Sequence, residues 1–287
     1  MTKILVIGSG FLGKHVITEF KNIEIESYGT SFSKDNKLKL DITNINSIKK
    51  NIEKIKPNII INCAANTNLD FLETHQDIAF DINANGVQNL IEVVRQNNIR
   101  LVHISTDSIF DGSSGSYSEN DIPNPINVYS KSKLLGEKYI LNNLKNEVII
   151  RTNFYGHDND NKFLFNQILN SLKNKKTFTA FDDIIFNPLE ISNLSKMIVE
   201  ISLKNYTGII NMASDDILSK YEFAIEISKN LDYDQNLIKK GNSNEMNFTA
   251  NRPKNTSLTN YRMKNEIKTK ITTLSNWLKM VKNDYNP

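Results

Sequence analysis

Tyr129-Ser130-Lys131-Ser132-Lys133 places a phenol and an ammonium four residues apart. On a helix that spacing puts both groups on one face. A free phenol titrates near ~10 and a free lysine near ~10.4. A fixed ammonium beside the phenol favours phenolate and lowers its pKa, so the pair suits proton transfer to or from an oxygen. The pattern Y-x-x-x-K also recurs on helix surfaces without function, so it gains weight only from a partner group. Thr106 is such a group. It follows the apolar run Leu101–Ile104, which reads as a strand, and ligands of open α/β sheets gather at the carboxyl ends of strands. A hydroxyl there can hold a carbonyl oxygen beside the phenol. The plainer reading makes Thr106 a turn residue opening the loop Ser105–Tyr117.

A second constellation lies at the start of the chain. Gly8-Ser9-Gly10-Phe11-Leu12-Gly13 matches G-x-G-x-x-G, with an apolar run directly before it and helical spacing directly after. That context separates a dinucleotide loop from a chance glycine turn. Gly8 permits the tight turn, Gly10 lets the backbone approach a pyrophosphate, and Gly13 lets helix and strand pack closely. The amides of Phe11 and Leu12, at the helix N-terminus, then face the phosphates. An acidic residue ending the next strand would hold an adenosine ribose 2′-hydroxyl. Here the chain reads Gly29-Thr30-Ser31-Phe32-Ser33-Lys34. Ser31, Ser33 and Lys34 suit a 2′-phosphate, which favours NADP(H) and leaves NAD(H) open.

These groups need a scaffold, and the pattern supplies one. Strand-like Ile4–Ile7, Ile23–Tyr28, a short Leu38–Leu40, Ile59–Cys63, Leu101–Ser105 and Val148–Arg151 alternate with helical Phe11–Phe20, Ile45–Ile55, 77–96 and Val128–Leu141. Continuously apolar strands are covered on both faces. The alternation predicts an α/β fold with a doubly wound parallel sheet. Residues 1–155 form the dinucleotide-binding domain. Residues 156–287 form mainly a smaller C-terminal substrate-binding region, from which elements of about 190–213 return to the sheet. Helices are expected over Phe163–Leu172, Glu190–Ile201, Lys220–Asn230 and Leu274–Val281, with a strand over Gly208–Met212.

Composition narrows the function classes. The 287 residues are 39% hydrophobic and carry 35 basic against 32 acidic side chains, a balance that gives no support for nucleic-acid binding. No apolar run reaches the roughly 20 residues of a membrane span, so the expected location is the cytoplasm. One cysteine, Cys63, cannot form an internal disulfide, which fits a reducing compartment. Its apolar setting favours a small core residue over a catalytic thiol. His15, His75, His103 and His157 show no metal-ligand spacing, and no metal is expected in the site. A divalent ion supporting subunit association is left open, as is a homodimer.

The chain also resembles the dTDP-4-dehydrorhamnose reductase family, within the extended short-chain dehydrogenases/reductases of Rossmann type. The matching segments run through most of its length. They include Gly8–Gly13, Leu40-Asp41-Ile42-Thr43, Ile59–Ala65, Ser105-Thr106-Asp107-Ser108-Ile109-Phe110-Asp111-Gly112, Pro125–Tyr129, Lys133-Leu134-Leu135-Gly136-Glu137, Arg151-Thr152 and Arg252-Pro253. The resemblance implies a catalytic Thr106, Tyr129 and Lys133, with Tyr129 and Lys133 also reaching the cofactor. It implies Asp41 and Ile42 near the adenine, and Ala64 and Ala65 along the cofactor. Thr67 to Asp70 would approach the sugar, and Arg252 its diphosphate. Two positions depart from the family pattern. Ser108 stands where tyrosine is usual, and Asn153-Phe154 follows Arg151-Thr152 where tryptophan is usual. Both positions shape the sugar pocket, so the resemblance carries the hydride chemistry further than the identity of the sugar.

The implied activity is NADP(H)-dependent reduction of a 4-keto group on a nucleotide-activated 6-deoxysugar. Two alternatives remain at this point: an NAD-dependent nucleotide-sugar epimerase, and a non-catalytic NADP-binding regulatory subunit like that of methionine adenosyltransferase.

Overall fold

Strand β1 (Lys3–Ile7) is buried from Ile4 onward, as an apolar strand covered on both faces must be. A computed structural model describes residues 2–32, 38–158 and 163–285 of the chain. In it β1, β2 (Glu26–Thr30), β3 (Ile59–Asn62), β4 (Arg100–Thr106), β5 (Glu147–Thr152) and the strand Gly208–Met212 form one sheet. The order is Gly208–Met212, β5, β4, β3, β1, β2, and every pair is parallel. From β1 the chain steps outward to β2, then returns to β3 on β1's other side. That reversal opens a crevice at the carboxyl end of β1, where the glycine loop lies.

Two apolar layers hold the sheet. One packs α1 (Phe11–Asn22) and the helix Ile191–Leu203 over Ile4, Val6, Ile61, Val102 and Ile150. The other packs α2 (Ile45–Ile55) and the helix Gly86–Gln96 over Leu5, Ile7, Ile60, Leu101 and Ile149. Alternate residues of each strand thus enter opposite layers, as the two-residue strand repeat requires. A third core gathers Tyr155, Phe165, Phe186, Phe223 and Trp277 from the C-terminal part. The Gly208–Met212 strand pairs with β5, so the chain's later part does return to the main sheet.

Helix α2 has its expected bounds: the Asn44 side chain accepts from the Asn46 and Ser47 amides, and Lys56 ends it in the left-handed region before Pro57. Other expectations shift. The strand expected at Ile23–Tyr28 begins at Glu26, because α1 runs to Asn22 and Glu24 turns the chain at φ 58°. Leu38–Leu40 joins no sheet as a strand; it contributes one bridge, Ser31 to Lys39, at the edge of β2. The helix expected over 77–96 runs as Gln76–Phe80, a π turn Asp81–Asn85 and Gly86–Gln96. Short pairings escaped the pattern: Phe178–Phe181 with Ile238–Gly241, and Ile185–Phe186 with Leu218–Ser219. Among the described residues no helix is long and apolar enough to cross a membrane.

Candidate active site

The glycine loop is built around backbone approaches that side chains forbid. Gly8 has φ 85°, and a Cβ there meets the Ala64 amide nitrogen at 2.6 Å. A Cβ on Gly13 meets the Gly8 carbonyl oxygen at 2.2 Å, so this glycine joins helix to loop. Gly10 differs, because its Cβ meets nothing within 4 Å. The space it faces lies at the start of α1, whose N-terminus has no side-chain cap and no acid in its first turn. Uncapped amides beside open space fit a phosphate group. The Gly8 and Ser9 amides are already taken by the Thr30 carbonyl, which fixes the loop to the end of β2.

From this loop a cleft of about 600 Å³ runs toward β2, lined by Gly8, Gly10, Ser31, Asp41, Ile42, Ala64, Ala65 and Thr67. Every described residue expected near the adenosine half therefore lies there. Asp41 uses its carboxylate locally, accepting from the Thr43 amide and hydroxyl. Ser33 and Lys34 lie outside the described residues. The described end of β2, Thr30 to Phe32, carries no carboxylate.

On the other side of the loop a cavity of about 370 Å³ contains Thr106, Tyr129 and Lys133, together with Phe11, Leu12, Gly13, Ser108, Asn153 and Phe154. It shares Gly8, Gly10, Cys63, Ala65 and Thr67 with the first cleft, so the two are continuous. The strand C-terminus delivers Thr106, and the helix Val128–Asn143 delivers Tyr129 and Lys133, as their spacing foretold. The Asn127 side chain caps that helix by accepting from the Ser130 amide. The π turn positions it: Asn83 accepts from the Asn66 amide, and donates to the Asn66 carbonyl and the Ser132 hydroxyl. One amide thus joins the cleft-lining loop after β3 to the Tyr129 helix. Gly136 permits the approach, since a Cβ there meets the Asn83 carbonyl at 2.5 Å. No sequence period marks a π turn, so Asn83 escaped notice.

The electrostatics differ from the expectation. Burial pushes the Tyr129 phenol up to about 12, opposed by a hydrogen bond with the Thr106 hydroxyl. Asp107 nearby raises it further, and the Lys133 ammonium is engaged elsewhere. Its Nζ donates instead to the Ile104 carbonyl at 2.7 Å and meets His103 Nε2 at 3.3 Å. Burial lowers Lys133 to about 8, with Glu137 opposing the shift. The expected lowering of the phenol is thus overturned by desolvation, and the phenol is held firmly protonated at neutral pH. His103 is a satisfied core residue, bonded also to Asn62. Burial raises the Cys63 thiol to about 12, which disfavours the reactive thiolate.

Thr106 rests on a buried carboxylate. Asp107 Oδ1 accepts from the Thr106 and Ser108 hydroxyls, and Oδ2 accepts from Asn153 Nδ2 and the Thr256 hydroxyl. A third cavity, about 560 Å³, opens outward and shares Leu69, Ser108 and Asn153 with the reaction cavity. Arg252 lines it. Arg252 and Asp70, expected at the diphosphate and the sugar, are instead bonded to each other, Nη2 to Oδ2 at 2.6 Å. Asp70 also accepts from the Ala250 amide and lines none of the three spaces. Phe154 packs with Phe11 and Phe163 as an aromatic wall. Among the described residues no cluster of three or more metal-ligating side chains is found.

Comparison with known proteins identifies the family and the fold. The family model described as the RmlD substrate binding domain matches residues 1–286. A dTDP-4-dehydrorhamnose reductase of Aggregatibacter actinomycetemcomitans is 33% identical over 79% of this chain and 78% of its own length. Methionine adenosyltransferase 2 subunit beta of Danio rerio is 34% identical, but over only 52% of this chain and 46% of its own. A crystal structure of the dTDP-4-dehydrorhamnose reductase of Bacillus anthracis, in complex with NADP, superposes with a TM-score of 0.86 at 27% identity, covering 99% of both chains. The family model, which spans nearly the whole length, and the relative at 33% identity place the chain in the RmlD substrate binding domain family.

Proposed function

We propose that this protein reduces the 4-keto group of a nucleotide-activated 6-deoxysugar with NADPH. The observation that carries the reading is the meeting of Thr106, Tyr129 and Lys133 in one cavity continuous with the glycine-loop cleft. The named activity of its relatives supports the same reaction class. The glycine loop fits a dinucleotide, with Gly10 and the uncapped start of α1 taking the pyrophosphate. The related reductase in complex with NADP supports the 2′-phosphorylated form.

NADPH, when bound, supplies the hydride. The chain's own groups handle the oxygen. Tyr129 donates its phenolic proton to the carbonyl oxygen as that oxygen gains charge. A phenol kept protonated by burial is in the state a reduction consumes. Thr106 has a single hydroxyl proton, donated to Asp107 in this structure, and it holds the same oxygen by turning that proton to it while Asp107 keeps the side chain in place. Lys133 holds a positive charge beneath the reacting centre, where low polarity makes it count most.

Tyr129→Phe removes the transferable proton and leaves the ring in place. A loss of about 10²–10⁴ in kcat is expected, with NADPH affinity unchanged, in an assay following NADPH absorbance on a 4-keto-6-deoxy sugar nucleotide. Undiminished turnover in that variant rejects the mechanism. Turnover without net NADPH consumption identifies an epimerase instead, and NADPH binding with no turnover on any keto-sugar nucleotide identifies a regulatory subunit.

A further inference from the structure

The outer cavity is walled by Phe178, Phe181, Phe186 and Phe248, and two cations line it, Arg252 and Lys220. Arg252 is already paired with Asp70. Lys220 is not so paired. Its backbone amide donates to the Ile184 carbonyl, continuing the pairing of Leu218–Ser219 with Ile185–Phe186. Strand alternation then turns Ile184, Phe186 and Lys220 to one face, and all three line the cavity. The ammonium stands over the Phe186 ring, 3.1 Å from its centroid. Phe186 is itself buried and held edge-on by Phe223, so the ring is a fixed platform. The backbone at Lys220 is fixed by the capping box that Ser219 and Glu222 form on either side of it.

The ammonium carries three donors, yet no hydrogen-bond acceptor among the described residues takes any of them. Asp107 attracts it through space. Both Asp107 oxygens, however, are already occupied by two donors each. Lys220 is half-buried, and an ammonium that faces an aromatic cavity with no protein acceptor is available to an incoming anion, with which it makes a charge-assisted hydrogen bond. Burial does pull Lys220 down to about 7.

We propose that Lys220 is the anion-recognition residue of the substrate cavity: its ammonium takes an anionic oxygen of the nucleotide-activated substrate and so sets affinity and preference. The inference rests on the reductase reading for the identity of that substrate. The oxygen belongs to the diphosphate, since a 6-deoxysugar carries a methyl and no carboxylate at C6; a carboxylate partner contradicts that assignment and the 6-deoxysugar reading together, and binding measurements separate the two. NADPH-loaded protein is titrated with dTDP, UDP-glucose and UDP-glucuronate, for the parent and for Lys220→Met. A diphosphate partner gives at least a tenfold weaker Kd for dTDP in the variant, with NADPH affinity unchanged and dTDP affinity regained in Lys220→Arg. A carboxylate partner leaves dTDP unaffected and removes a preference for UDP-glucuronate over UDP-glucose. Where Lys220→Met does not retain NADPH, Lys220→Gln replaces it. Equal affinities for all three probes in parent and variant overturn the proposal, as does a parent that binds none. Turnover is not read, so a parent inactive on 4-keto sugars but binding dTDP through Lys220 defeats the reductase reading alone.

Discussion

At the scale of single residues, burial rather than sequence neighbours sets the chemistry. Helical spacing paired Tyr129 with Lys133, a strand end marked Thr106, and the family resemblance joined the three, because helical period and strand ends are written locally. The direction of the phenol's shift was not legible: it depends on how much protein surrounds the ring, and on the Ile104 carbonyl that draws the ammonium aside. The pairing of Asp70 with Arg252, 182 positions apart, was equally invisible. Lys220 carried only a capping-box signal, which says nothing of a cavity. A prediction follows from Lys133. An exposed lysine keeps its charge to ~10.4, whereas this one loses it near 8 under burial, with Glu137, Cys63 and His103 around it. A lowered lysine pKa means the charge is present below about 8 and lost above it. NADPH affinity, measured by fluorescence titration, should therefore be flat toward pH 7 and weaken above pH 8. Lys133→Met should bind more weakly throughout and lose that pH dependence. Tyr129, held near 12, adds no limb of its own in this range.

At the scale of elements, long periodic segments were legible and their junctions were not. Helix α2 matched its expected span because cap, proline and apolar period coincide, and the strand Gly208–Met212 because a short apolar run opens at a glycine. The start of β2 shifted because the turn before it uses a left-handed Glu24, which no composition rule marks. The elements bearing the trio are tied by a buried ion pair. Arg151 on β5 donates to both Glu137 oxygens, Nη2 to Oε2 at 2.8 Å, and the Ser105 hydroxyl on β4 donates to Oε1 at 2.5 Å. Glu137 lies one helical turn beyond Lys133, Ser105 precedes Thr106, and Ser105 is in register with Arg151. The pair thus sets the spacing between the helix and the two strand ends. Glu137→Gln leaves the buried guanidinium without its counter-charge and should cost about 3 kcal/mol in urea unfolding. The double change Glu137→Gln with Arg151→Met should recover part of that loss, because the stranded charge is gone. A single variant as stable as the parent contradicts this account.

At the scale of the whole molecule, the reacting centre is assembled from both ends of the chain. The parallel sense followed from the strand–helix alternation; the strand order, and the pairing of Gly208–Met212 with β5, were not legible, since alternation does not say which strands are neighbours. The path of the segment after residue 250 was not legible, since it has little periodicity of its own. It laces back over the carboxyl edge of the sheet: the Asn251 carbonyl accepts from Asn127 Nδ2, Leu258 bridges to Tyr117, and the Thr256 hydroxyl donates to Asp107 at 2.7 Å. Asp107 also holds the Thr106 hydroxyl, so a residue 150 positions downstream bears on the group that orients the carbonyl oxygen. Thr256→Val keeps the shape and removes the donor. Losing one hydrogen bond to a buried carboxylate costs about 1.5–3 kcal/mol, and kcat should fall while NADPH affinity does not, since Thr256 lines the outer cavity and neither of the spaces beside the glycine loop. Thr256→Ser restores a hydroxyl and should regain most of the kcat. That rescue separates a positioning role from simple loss of stability: a variant that loses stability yet retains full kcat confines Thr256 to packing, and means that Asp107 holds Thr106 without help from the C-terminal segment.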